Sequence, residues 1–265
     1  MTATDAPRHA PQLVLTALPG LPLIQPGDNL GALILAGLAA AAIELRSGDV
    51  IAVAQKIVSK AEGRRVRLAE VSPSTRALEL AKVTQKDPRF IEVVLSESKE
   101  ILRARFNTLI VEHRLGFVCA NAGVDRSNVG PHGAGQEEYL LCLPADPDAT
   151  CRKLREAFRA AAGADVGVII NDSHGRAWRN GIVGVAIGVA GLPALLDMRG
   201  HADMFDYTLQ VTQIGLADEI AAAASLLMGQ ADERRPVIHI RGVPYPFRDG
   251  NLQELIRPRE LDLFR

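Results

Sequence analysis

Apolar positions along the chain fall into two kinds of run. Short stretches at 13–18, 50–54, 166–170 and 237–241 are rich in Val, Ile and Leu and end at turn residues, which is the pattern of buried strands. Residues 108–112 and 116–120 carry a shorter version of the same mark, and 91–95, with three β-branched side chains, also reads as a strand. Longer segments in which apolar residues recur every three or four positions predict helices over 28–46, 74–84, 148–162 and 216–228. Asp28 or Asn29 can cap the first of these and Ser47-Gly48-Asp49 follows its end, while Gly163 closes the third. The second follows Pro73 and offers Leu78, Leu80 and Ala81 to its buried face, and Asp87-Pro88 stops it. Strands cluster instead of alternating strictly with helices, so the expected class is α+β with a mixed sheet, not a doubly wound one.

Three segments escape this periodicity. Pro19-Gly20-Leu21-Pro22 is a stiff turn, because proline pins φ and glycine allows what other residues cannot. Residues 121–139 gather glycine and polar side chains without a period and read as a long loop, the kind of segment that often carries function. The strand at 166–170 is expected to stop at Asn171-Asp172-Ser173-His174-Gly175, leaving side chains there to face solvent or ligand. The glycines of 181–191 lack the spacing and the strand-turn-helix setting of a dinucleotide fingerprint, so they read as sites of tight packing.

Composition narrows the function classes. With 48% hydrophobic and 23% charged residues among 265, the chain is an ordinary globular protein, and with only 4% aromatics its core must be built from Ala, Leu, Val and Ile. Thirty basic against thirty-one acidic residues give a net charge of −1, which argues against a partner recognised through its phosphate backbone, so no nucleic acid is expected. Cys119, Cys142 and Cys151 are odd in number and have no paired spacing, so they read as reduced core residues. Residues 1–12 read as a disordered tail without a secretory leader, and the apolar run at 32–45 is too short for a bilayer. A cytoplasmic address with no membrane contact is the expectation.

Four clusters carry candidate chemistry. In Asn121-Ala122-Gly123-Val124-Asp125-Arg126-Ser127-Asn128-Val129 the Asp125 carboxylate can bind a hard cation and the Asn128 amide can meet a phosphate or base; taken alone, the spacing fits an Asx-type turn better. Asn171-Asp172-Ser173-His174-Gly175-Arg176-Ala177-Trp178-Arg179-Asn180-Gly181 is harder to explain as a capped turn. There, carboxylate and hydroxyl can share divalent ions, Arg176 and Arg179 can hold phosphate or carboxylate groups in forked hydrogen bonds, and Trp178 reads as packing. Gln55-Lys56-Ile57-Val58-Ser59-Lys60-Ala61-Glu62-Gly63 could bring Lys60 to a nucleotide phosphate or be a solvated turn, and Met228-Gly229-Gln230 could add a neutral oxygen ligand or be a helix end. There is no phosphate-loop motif, no His-x-x-x-His pair and no nucleophile elbow.

Taken together in order, Gly20-Leu21-Pro22, Val58 through Gly63, Ala122 through Val129, Gly175 through Gly181 and Ala217-Asp218-Glu219-Ile220 resemble the coenzyme F-420-0:L-glutamate ligase family, also called gamma-glutamyl ligases. The resemblance covers about 13–242 as one unit of two packed lobes, with 243–265 as an extension. It implies an intertwined homodimer. It also implies two divalent ions, Mg²⁺ or Mn²⁺, drawing ligands from Asp125, Asp172, Ser173 and Gln230, with K⁺ as a further candidate ion. GTP would be held by Leu21, Pro22, Leu23, Ile24, Gln55, Lys60, Asn128, Met228, Gly229 and Gln230. Gln55 stands where some relatives have Ser, and Ser173-His174 where others have Thr-Met. The implied reaction joins L-glutamate to the coenzyme's terminal carboxylate through an acyl phosphate, releasing GDP and phosphate, with Asp125, Asp172, Arg176 and Arg179 at the reacting groups. The two arginines rest on local chemistry alone. Rival readings are another metal-dependent carboxylate–amine ligase or phosphohydrolase, and a GTP-binding partner protein without turnover.

Overall fold

The computed structural model describes residues 11–130, 137–244 and 248–263. Residues 1–10 of the expected tail and 131–136 of the expected loop lie outside this set. The first half of the chain runs β1 (Val14–Ala17), α1 (Leu30–Ala40), β2 (Val50–Ala54), α2 (Gln55–Ala61), β3 (Arg65–Arg67), α3 (Thr75–Thr84), α4 (Pro88–Ser96), β4 (Ser98–Arg105), β5 (Thr108–His113) and β6 (Val118–Ala120). The second half runs β7 (Tyr139–Leu141), α5 (Pro147–Ala162), β8 (Gly167–Arg176), β9 (Arg179–Ala190), β10 (Leu196–Asp197), β11 (Gln213–Ile214), α6 (Leu216–Met228) and β12 (Val237–Arg241).

A five-stranded sheet in the order β1-β12-β2-β8-β9 forms the centre. Only β2 and β8 run parallel; the other pairs are antiparallel, so the sheet is mixed and the class is α+β, as expected. Side chains alternate across its two faces. Ile51, Val53, Val168 and Ile170 pack with Ile34 and Leu38 of α1 and Leu154 and Phe158 of α5. Val50, Ala52 and Ile169 pack with Ala217, Ile220 and Ala224 of α6. Each such side chain taken fully from water contributes roughly 1.5–3 kcal/mol, which is why β2, buried along Val50–Val53, anchors the molecule. A separate core joins α3 and α4 to the β4-β5-β6 sheet through Leu80, Ile91, Val94, Leu109 and Val111.

Glycine in β9 has the packing role expected of it. A Cβ on Gly184 would stand 2.5 Å from the Ala221 carbonyl oxygen, and one on Gly188 would press on Pro147, so α6 and α5 can approach this strand only because neither position has a side chain. All three cysteines are free and buried, also as expected.

Several expectations are corrected. The segment at 91–95 is helical: Asp87 caps α4, Pro88 occupies its first turn, and Phe90, Ile91 and Val94 then share a face against the core, so tertiary burial overrides β-branched propensity. Helix α1 stops at Ala40, short of 46, because Ala42 turns left-handed and the Ile43 N–H bonds the Leu38 carbonyl, which folds Ile43 and Leu45 back onto the core. On α3, Leu80 is buried and Ala81 packs against the core as expected, but Leu78 is exposed and Ala77 takes its place on the buried face. The strand expected to end at 170 continues as β8 to Arg176 and returns as β9, so 171–181 is a hairpin, and Trp178 at its turn is 88% exposed instead of packed.

His113 on β5 is 2% exposed and stacks on Phe117 at 5.2 Å. Its Nδ1 accepts the Leu115 N–H at 3.0 Å, which only a neutral ring can do. Burial, with help from Arg114 and Arg64, pushes its pKa from 6.5 down to about 4. The unfolded chain takes up this proton as pH falls through 6.5 and the folded chain does not until about 4, so stability present above 6.5 is lost across that window. Urea unfolding should show about 3 kcal/mol of this loss by pH 4, and a His113→Gln variant should lack that share of the slope; parallel slopes would exclude His113 as its source.

Candidate active site

The parallel pair decides where the polar residues meet. Ala54 at the end of β2 is in register with Asn171 of β8, so the residues that follow, Gln55 and Lys56 on one side and Asp172 and Ser173 on the other, emerge side by side. The carboxyl ends of parallel strands are the usual ligand crevice of an α/β sheet. A third segment joins them when the Asp125 backbone pairs with Leu141, a single antiparallel bridge that seats the 124–130 stretch beside α2.

Asp125 is the hub. Its Oδ2 accepts the Gln55 Nε2–H at 2.7 Å and lies 3.5 Å from Lys56 Nζ, while Gln55 Oε1 in turn accepts the Ser59 hydroxyl at 2.9 Å. Lys56 also donates to the Ser127 hydroxyl at 3.0 Å. Burial pushes the Asp125 carboxyl up to about 6; Lys56 pulls against it, and the Asp172 carboxylate adds to the rise. Two acidic side chains 47 positions apart therefore stand in one electrostatic field, as the sequence reading requires.

On β8, Asp172 and His174 share one face and bond each other, His174 Nε2 to Asp172 Oδ2 at 2.9 Å. Asn171 and Ser173 share the other: Asn171 Nδ2 donates to the Met228 sulfur at 3.2 Å, and the Ser173 hydroxyl donates to Gln230 Oε1 at 3.0 Å. The four sequence-derived metal ligands thus separate into two pairs, Asp125 with Asp172 and Ser173 with Gln230, on opposite sides of one strand. Strand alternation thus points the Asp172 carboxylate and the Ser173 hydroxyl to opposite faces of β8.

Remaining sequence candidates border this centre. Asn128 donates its amide to the Ala231 carbonyl at 3.1 Å, which ties the Asp125 segment to the Met228-Gly229-Gln230 stretch. Lys60 is half-buried, and burial together with Arg65 and Lys56 lowers its pKa. Among the described residues no carboxylate bonds Lys60, so Lys56 and Lys60, one helical turn apart, form a cation pair suited to an anion. Leu21, Pro22, Leu23 and Ile24 run past the far end of α2, where the Gly27 N–H bonds the Ala61 carbonyl; Leu23 is 79% exposed and Ile24 buried. Arg176 and Arg179 stand exposed on the hairpin turn, where Arg176 bonds the Asn180 carbonyl; neither has a bond to the acidic pair. Lys56 and His174 are the contacts that sequence reasoning left without a role, although Lys56 had a legible signal in its i,i+4 spacing to Lys60.

The donor set fits hard divalent cations. It consists of two carboxylates, a hydroxyl and a carboxamide oxygen, and a cation between the carboxylates would relieve the repulsion that raises Asp125. Among the described residues no three His, Cys, Asp or Glu side chains gather into a closed metal cage.

The sequence model of the F420-0:Gamma-glutamyl ligase family matches residues 20–242. The chain belongs to this family of enzymes. It is 45% identical over 253 residues to the coenzyme F420:L-glutamate ligase of Methanothermobacter thermautotrophicus, covering 95% of this chain and 98% of that protein. It is 44% identical over 259 residues to the ligase of the same name from Methanopyrus kandleri, covering 96% and 98%, and 42% identical over 246 residues to that of Archaeoglobus fulgidus, covering 93% and 94%. The elements that carry the candidate site, from Leu21 to Ala231, lie inside the matched span, whereas 252–262 lie beyond it. No helix among the described residues is long and apolar enough to cross a membrane.

Proposed function

We propose that the chain ligates L-glutamate to the terminal carboxylate of coenzyme F420-0 at the expense of GTP, adding further γ-linked glutamates in turn. The observation that carries this reading is the convergence of Asp125 and Asp172 beside the Lys56 and Lys60 cations. A carboxylate is a poor acyl donor, so it must first be activated: the γ-phosphoryl group of GTP moves to the coenzyme carboxylate, and the glutamate amine then displaces phosphate from the acyl phosphate, leaving GDP. Two Mg²⁺ or Mn²⁺ ions fit the site, one at Asp125 and Asp172 and one at Ser173 and Gln230, and when bound they supply neutralisation of the charge gathering on the transferred group.

The chain's own residues do the rest by positioning. Gln55, itself held by Ser59, fixes the Asp125 carboxylate. Lys56 and Lys60 draw the nucleotide phosphates, with Leu21, Pro22, Leu23 and Ile24 on one side and Asn128 and Met228-Gly229-Gln230 on the other. Arg176 and Arg179 are assigned to anionic groups of the coenzyme. Replacing Lys60 by Met, which keeps the stem and removes the charge, should raise the KM for GTP by about tenfold, the loss of one charge-assisted contact, with little change in the KM for glutamate. An unchanged KM for GTP would remove Lys60 from the nucleotide site.

Homodimer formation belongs to the same reading. Trp178 and Ile182 on the hairpin and Met204, Phe205 and Val211 beyond β10 are large apolar side chains left more than half exposed. Light scattering should give twice the 28.4 kDa chain mass, and a monomer at micromolar concentration would refute it. A cytoplasmic location is proposed on the three buried free cysteines. The decisive experiment is mass spectrometry of the coenzyme after incubation with GTP, glutamate and Mg²⁺ or Mn²⁺, with and without K⁺. Mass increments of one or more glutamyl units are expected, with GDP formed in step. GDP release without any increment would indicate a phosphohydrolase instead, and neither product would leave only nucleotide binding.

A further inference from the structure

A further cavity, of about 230 Å³, is lined in part by His174, whose Nε2 lies 2.9 Å from Asp172 Oδ2. Its floor is Val185, Ala186 and Ile187 of β9, its wall is the C-terminal stretch around Leu255, Ile256 and Arg257, and Phe117 and His174 close one side, their rings 5.3 Å apart. The volume is below the usual range for drug-sized ligands, so it suits a small metabolite. Asp218, half-buried in the first turn of α6, also lines it, with Oδ1 accepting the Ala186 N–H at 2.9 Å. Among the described residues no salt bridge reaches Asp218; burial raises its pKa while the Ala186 N–H and the nearby His174 ring pull against the rise, so a cationic ligand would supply the ion pair it lacks. Arg257, an exposed lining residue, has no carboxylate partner among the described residues, while Asp262, also in the lining, has an interaction of its own.

We propose that this cavity is the subsite for the α-amino acid co-substrate, with Asp218 taking its ammonium group and Arg257 one of its carboxylates. An anion and a cation without salt-bridge partners in one small cavity match an amino acid's charges, and GTP, which has no ammonium group, offers nothing to Asp218. His174 lines the cavity and bonds Asp172, so this one side chain links the cavity to the acidic pair of the ligase reading. The inference rests on the ligase reading above for the identity of the amino acid, L-glutamate.

Asp218→Asn keeps the acceptor for the Ala186 N–H and loses the charge; Arg257→Gln changes an exposed residue. Both variants should therefore fold. Equilibrium dialysis of labelled L-glutamate against wild type and each variant, with GDP and Mg²⁺ present, reads the subsite without turnover. At least about tenfold weaker binding is expected in each variant, the effect of one charge-assisted hydrogen bond. Steady-state kinetics should show the same rise in the KM for glutamate, with the KM for GTP moving less than about twofold. Glutamate affinity unchanged in both variants would overturn the proposal, as would equal rises in all KM values. If wild type binds glutamate and the variants do not, yet no ligated product forms, the subsite stands and it is the ligase reading that fails.

Discussion

Asp172→Asn should lower kcat/KM by on the order of 10³-fold, with the thermal midpoint held or raised. The substitution preserves shape and removes one of two carboxylates that converge from separate segments, so several kcal/mol of charge stabilisation at the transferring phosphoryl group are lost. Folding should not suffer, because the two acids repel: Asp172 contributes to the rise of the Asp125 carboxyl to about 6, and its removal lets Asp125 ionise more readily. Asp125→Asn should behave alike, and the double variant should be little worse than either alone, since the two act as one unit. Activity within tenfold of wild type in Asp172→Asn would show that phosphoryl transfer does not depend on this pair. A fully additive double variant would show that each acid serves a separate step.

Asp49→Ala should cost about 3–5 kcal/mol of stability without touching the site. Asp49 is 1% exposed at the start of β2, and its carboxylate accepts the Arg46 N–H at 2.9 Å and the Arg241 guanidinium at 2.8 and 2.7 Å, with His239 Nε2 2.9 Å away. Burial opposes its ionisation, yet the hydrogen bonds from Arg241 and Arg46, with the His239 ring close by, outweigh burial and hold its pKa below 3.8. Truncation leaves a buried imidazole and a partly buried guanidinium without their shared partner, which corresponds to a melting temperature lower by roughly 10 °C for a chain of this size. The sign with pH follows from the depressed value: the contribution is present above 3.8 and is lost as pH falls through the lower folded value. Wild type and variant should therefore differ most near neutrality and converge in strong acid. A midpoint shift of less than about 3 °C at pH 7 would mean that the network is structurally idle.

Helix α6 and strand β12 have the bounds that the apolar pattern predicts, and β2 does too, because each is long or apolar enough for its period to be unmistakable. Helix α4 was misread because five apolar-rich residues, three of them β-branched, satisfy a strand as well as a helix; its caps, Asp87 and Pro88, were the better signal. The β8–β9 hairpin was hidden for a related reason. Polar residues from Asn171 to Arg176 looked like a loop, but the pairing of β8 with β9 gives their backbone hydrogen-bond partners and so allows polar side chains in a strand.

The linear order of residues carries the chemistry of this protein: which side chains are acidic, which can cap or bond, and which collinear motifs mark a glutamyl ligase. It does not carry distance. Asp125 and Asp172 meet because β2 and β8 pair in parallel and in register, which sets Gln55 and Lys56 beside Asp172, and because one backbone bridge from Asp125 to Leu141 brings the third segment in. The division of the candidate ligands into two pairs, the exposure of Arg176 and Arg179, and the cavity lined by Asp218 and Arg257 are likewise consequences of packing. Local periodicity is written within a few residues, whereas contacts between residues tens of positions apart depend on which hydrophobic faces are buried against each other, and that is settled only when the whole chain folds.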